Sequence, residues 1–133
     1  VVSRLPDWRE RLAAFVAARR ETPFAWGAAD CCLTSADAVC AMTGVDLAAP
    51  LRGYRSQFGA CRALVRLGHR RVVSFLDSIL PRAQRPLCGD FVAFAAPPLD
   101  EVLIADGRGA AWGQRATGLV RMSIGPAPLV WRV

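Results

Sequence analysis

The sequence predicts an α+β domain in which helices come first and a small antiparallel sheet comes last. Three observations lead there. Up to about residue 82 the apolar residues recur at helical spacing; from Gly89 onward they fall in short strand-like runs; and Gly and Pro separate those runs. Helices and strands segregated in this way pack as α+β rather than as alternating βαβ units. A chain of 133 residues is expected to build one core, so the domain runs 1–133, with a helical part over 1–82 and a sheet part over 88–133.

The first helix is expected to start at Asp7, which with Glu10 reads as a capping box, and to bury Trp8, Leu12, Phe15 and Val16. It should end near Glu21, because Pro23 turns the preceding residue away from helix. Its arginines (Arg9, Arg11, Arg19, Arg20) read as a solvated face. Residues 23–29 form a short loop rich in aromatic and small residues, and Phe24 and Trp26 are expected in the core where that loop meets the sheet. Asp30 then suits the N-cap of a second helix, with Cys31 and Cys32 in its first turn. Leu33, Ala36, Val39 and Cys40 give this helix its buried face, and Gly44 stops it.

A loop with Pro50 and Gly53 follows, in which Arg52-Gly53-Tyr54 reads as a turn. A third helix is expected from a Ser56 cap to Leu67, with Gly68 past its end, and a short fourth from Val73 to Ile79 before Pro81. The strand-like runs are "DFVAF", "EVLIA", "GAAWG", "GLVRM" and "LVWRV". Trp112 and Trp131 lie on them as core residues or as interface anchors.

Composition narrows the function classes. With 53% hydrophobic and 21% charged residues the chain is globular rather than disordered. No apolar run approaches the ~20 residues of a membrane helix, so no membrane span is expected. The opening "VVSRLPDWRE" lacks the apolar stretch of a secretory signal. The net charge of +6 comes from arginine alone. Arginines are spread along the chain, with only Arg19–Arg20 and Arg70–Arg71 adjacent, and no basic stripe interleaved with aromatics argues for direct nucleic-acid binding.

Five cysteines (Cys31, Cys32, Cys40, Cys61, Cys88) cannot all pair within the chain, and their spacing does not follow a zinc-ligand pattern. Reduced thiols are expected, as in a protein that folds in a cytoplasm. Cys40 lies about two and a half turns beyond Cys31, so one helix cannot gather these thiols into a cluster. No metal or other cofactor is expected. Small, soft core residues are the plain reading of Cys31, Cys32, Cys40 and Cys61.

A cysteine at a helix start, after an aromatic "WG" loop and before a small antiparallel sheet, has a second reading. "FAWGAADCC" followed by "CGDFVAF" resembles the NlpC-type, papain-like cysteine peptidases of bacterial cell walls. The pattern Trp26-Gly27, Asp30-Cys31-Cys32, then Arg52-Gly53-Tyr54, Gly89-Asp90 and Trp131 is closer still to short proteins encoded beside tail-hub genes in tailed phages and gene-transfer agents. The resemblance implies a papain-like fold, Cys31 at the nucleophile position, and Asp30 as the cap that presents it. A helix N-terminus lowers a thiol's pKa and offers amides for an oxyanion hole.

The base is what the resemblance does not supply. Thiol-dependent amide hydrolysis needs a group that takes the thiol proton and returns it to the leaving amine, normally His. In the resembling peptidases that His opens the strand after the "GD" strand, and here "DEVLIADG" puts Glu101, or Asp100, in that place. A carboxylate beside a thiolate raises the thiol pKa and makes a poor acid near neutrality. The sole histidine, His69, stands in "RLGHRR" just past a glycine stop, where an exposed loop residue is expected; no polar third member is identifiable.

The expectation is therefore a structural component of a phage-like tail tip or baseplate. It would reside in the virion tail after synthesis in the bacterial host cytoplasm, partnered by the tail hub and neighbouring tail-tip proteins, with possible peptidoglycan contact. The alternative is an active cysteine peptidase or amidase that cleaves peptidoglycan during DNA entry, its base supplied by His69 or another chain. A small intracellular protein unrelated to either is a third reading.

Overall fold

Asp30 ends an irregular loop and starts the helix around which the rest is packed. The computed structural model describes residues 2–125 and 128–133. Among the described residues four α-helices precede a five-stranded antiparallel sheet: α1 (Trp8–Arg19), α2 (Cys31–Thr43), α3 (Gln57–Arg66) and α4 (Val72–Ile79), then β1 (Phe91–Phe94), β2 (Glu101–Ala105), β3 (Ala110–Arg115), β4 (Gly118–Ser123) and β5 (Leu129–Trp131). A single 3-10 turn, Ala49–Leu51, lies between α2 and α3. The α+β class and the order of elements follow the expectation. Part of the proline signal before β5 lies at 126–127, outside the described residues.

The strand order is β4-β3-β2-β1-β5. β1 to β4 form a meander, and β5 returns to the far side of β1, where Phe91 faces Trp131. α2 lies between α1 on one side and β2 and β3 on the other, which buries Leu33, Ala36, Val39 and Met42. Cys40, expected on that buried face, is only half-buried. Trp131 is fully enclosed and its indole N–H donates to Asp77 Oδ1 at 2.9 Å, so it is a core residue. Trp112 is half-buried.

Helix ends show which local signals are used. Asp30 caps α2 by accepting the Leu33 N–H at 2.9 Å, and Ser56 caps α3 by accepting the Gly59 N–H at 3.0 Å. Asp7 behaves otherwise. It precedes α1 but makes no side-chain cap; its carboxylate is turned to Arg11 Nε at 2.8 Å, so the expected capping box is replaced by an i,i+4 ion pair.

The "GD" pair before β1 ties the chain ends together. The buried Asp90 carboxylate accepts from the Leu87 N–H at 2.9 Å, the Val133 N–H at 3.1 Å and Arg4 Nη2 at 3.3 Å. Arg132 Nε approaches its second oxygen to 2.9 Å without hydrogen-bond alignment. The motif thus has a structural use here. Among the described residues, no helix is long and apolar enough to cross a membrane.

Candidate functional site

The two thiols stand on the first turn of α2, where sequence spacing placed them. Cys31 Sγ lies 3.9 Å from Cys32 Sγ and 3.7 Å from the backbone carbonyl of Asp100, the residue before β2. Both are half-buried and free. They open on a narrow cavity of about 50 Å³ whose walls include Leu51, Tyr54, Phe75 and Val102. A wider hollow of about 770 Å³ lies between α1 and the β2–β3 turn, away from the thiols.

Asp30 organises the approach to this turn. Besides capping α2, its buried carboxylate accepts the Gly27 N–H at 3.0 Å and the Tyr54 hydroxyl at 2.7 Å. One side chain thereby joins the Trp-Gly loop, the Arg-Gly-Tyr turn and the helix start. Gly27 is required for a steric reason as well. It has φ +81°, and a Cβ there would lie 1.9 Å from the Tyr54 carbonyl oxygen. Burial and the Asp30 charge push the Tyr54 phenol far up, so it serves as a hydrogen-bond donor and not as an acid. Phe24 and Trp26, expected in the core, are instead 36% exposed each and pack edge-to-face on one another at 5.0 Å. The loop is held by its backbone, which leaves its aromatics at the surface.

The thiol pair is electrostatically asymmetric. A hydrogen bond from Cys32 pulls the Cys31 pKa down; burial opposes this, the Val102 backbone assists it, and the Asp30 and Glu101 charges oppose it. Cys32 moves the other way, well above the ordinary thiol range, because of that same contact and its removal from water. Of the two thiols, Cys31 is thus the one biased toward thiolate. A thiol so reluctant to ionise stabilises a neighbouring thiolate but cannot take its proton.

No imidazole completes the site. His69 is half-buried in the α3–α4 corner, where Nδ1 shares a 2.7 Å hydrogen bond with Ser74 Oγ and the ring meets Phe75 edge-on. It makes no hydrogen bond to Cys31. Glu101, at the head of β2, is engaged by Arg115 at the end of β3, Nη2 to Oε1 at 2.5 Å. The register that pairs Ile104 with Trp112 sets these two residues across from one another. Asp100 is turned into the protein: its buried carboxylate accepts from Arg71, from the Val73 N–H at 3.2 Å and from the Ala96 N–H at 3.3 Å. Only its carbonyl faces the thiol.

Arg115, Arg71 and Gln114 were not visible as site residues in the sequence. Gln114 is buried on β3, where its carbonyl oxygen accepts from Thr34 Oγ1 at 3.0 Å and its amide donates to the Thr22 carbonyl at 2.8 Å. Its polar groups are thus used in joining α2 and the post-α1 turn to the sheet. Strand pairing was the missing signal. Once β2 and β3 are set antiparallel about the Asp-Gly turn, Arg115 falls opposite Glu101. Among the described residues, no three His, Cys, Asp or Glu side chains converge as a metal-ligating group.

The chain is thus a small α+β protein with a vicinal, half-buried thiol pair at a helix start, an Asp cap behind it and an ion pair at the head of β2. The chain belongs to the family described as a domain of unknown function (DUF6950), whose model matches residues 3–133. No curated protein matches the chain.

Proposed function

We propose that this chain is a structural component of a phage-like tail tip or baseplate. It is read as a degenerate NlpC-type, papain-like domain that docks on the tail hub and neighbouring tail-tip proteins in the virion tail. The tail assignment rests on the sequence resemblance; the observation that carries the degenerate reading is the Glu101–Arg115 ion pair at the place where the resembling peptidases hold their base. A salt-bridged carboxylate neither accepts the Cys31 proton nor returns it to a leaving amine. Helix α2 and the head of β2 support the ancestral relationship, because they bring Cys31 and the expected base position to one end of the sheet. Immuno-electron microscopy of purified particles is the test of location. Label at the distal tail end is expected; particles devoid of the chain would contradict the proposal.

One observation favours the alternative, a cysteine peptidase or amidase acting on peptidoglycan. The Cys31 thiol is biased toward thiolate, as a nucleophile requires. That reading needs a proton acceptor from His69, released from Ser74, or from another chain. Hydrolysis of peptidoglycan stem peptides separates the two.

A further inference from the structure

Although arginines occur throughout the chain, carboxylates do not. Six of the 17 arginines and none of the 11 carboxylates fall between Asp46 and Asp77, so this stretch holds a charge equal to the whole +6 of the chain. Its two ends are neutralised within the fold: Arg52 by Asp37 and Asp46, and Arg71 by Asp100. The four between them, Arg55, Arg62, Arg66 and Arg70, are exposed and make no ion pair among the described residues. All four lie on or beside α3.

The same helix turns large apolar side chains outward. Ala60, Ala63 and Leu64 form its buried face. At 100° per residue, the residues opposite that face are Phe58, Arg62 and Val65. Phe58 is 72% exposed and Val65 62% exposed, and the Arg62 guanidinium sits over the Phe58 ring, 5.8 Å from its centre. An ordinary surface helix places polar residues there. Leu67, also exposed, extends the patch past the helix end.

We infer that the outer face of α3 is a docking surface for an acidic protein surface, one that meets Phe58 and Val65 with apolar side chains and the surrounding arginines with carboxylates. Phe and Arg, here Phe58 beneath Arg62, are both enriched at protein interfaces, and Arg among their hot spots. Single-stranded nucleic acid is held on several stacking aromatics along a groove, whereas this face is convex and carries one aromatic. Helices that lie in lipid carry their cations on one face and their hydrophobes on the other, whereas here Arg62 shares the outward face with Phe58 and Val65. The inference deepens the docking reading above and rests on it only for the partner being a protein.

The test is fluorescence anisotropy of the whole chain against three probes: a labelled helical peptide with Leu at i and i+4 flanked by Glu, duplex DNA, and phosphatidylglycerol vesicles. Saturable, salt-sensitive binding to the acidic peptide is expected. It should weaken about tenfold in Phe58→Ala, and equally in the Arg62→Glu/Arg66→Glu double variant, with unchanged circular dichroism. No saturable peptide binding, tighter binding to DNA or vesicles, or indifference to these substitutions would overturn the inference. Its failure is separable from that of the proposed function: stem-peptide cleavage refutes the latter and leaves peptide binding to α3 untouched.

Discussion

The Tyr54 hydroxyl donates a 2.7 Å hydrogen bond to Asp30 Oδ2, and through it a turn 24 residues away holds the start of the thiol-bearing helix. Asp30 also receives the Gly27 and Leu33 amides, so its removal leaves three donors unpaired in a buried place. Asp30→Ala is expected to cost about 2–4 kcal/mol, from a lost cap and orphaned donors. Tyr54→Phe should cost less, about 1–2 kcal/mol, because the carboxylate keeps both amides. Urea unfolding of the two variants checks the order.

Gly27 and Gly44 have nearly the same backbone, φ +81° and +78°, but different surroundings. A Cβ at Gly44 meets nothing within 4 Å, while one at Gly27 overlaps the Tyr54 carbonyl. Gly44→Ala is expected to cost about 1 kcal/mol from the left-handed conformation alone. Gly27→Ala should cost ~3 kcal/mol or more, since two backbones must separate. Melting temperatures of the pair distinguish steric contact from conformational strain.

Asp90 should prove structural. Asp90→Ala removes the buried acceptor for Arg4 and for the Leu87 and Val133 amides, and is expected to destabilise by ~3–5 kcal/mol. The signature in hydrogen exchange would be loss of protection at the chain ends and along β1 and β5.

Alkylation reads the thiol asymmetry directly. The Cys31 pKa is lowered, so its thiolate fraction at a given pH exceeds that of an ordinary thiol, and iodoacetamide should label it first as pH rises. Cys32 is raised, so it should resist until strongly alkaline pH. In Cys32→Ala the hydrogen bond is gone and the Cys31 labelling midpoint should move up. Peptide mass spectrometry after timed labelling gives both curves; a Cys31 midpoint at or above that of a free thiol would contradict the asymmetry.

The local parts of this fold were legible in the sequence because their causes are local. Asp30 and Ser56 announce caps, Gly44 and Gly68 announce stops, and the five strand runs are bounded by turn residues; the structure places each element within a residue or two. What escaped the sequence depends on distant partners. Asp7 and Glu10 fit a capping box, yet Arg11 competes for the Asp7 carboxylate. Phe24 and Trp26 looked like core residues, but the loop is fixed by Gly27 and Asp30 and leaves both rings at the surface. In the site, Cys31, Asp30 and the position of Glu101 were readable from order along the chain. Arg115 was not, because only strand register brings it to Glu101.

We propose that Cys31 stands in a nucleophile's position without a base. Incubating the purified chain with peptidoglycan stem peptides, beside Cys31→Ala, and following new amines by mass spectrometry tests it most directly. Both proteins are expected to be indistinguishable from buffer. Cleavage by the wild-type chain that Cys31→Ala abolishes would contradict it.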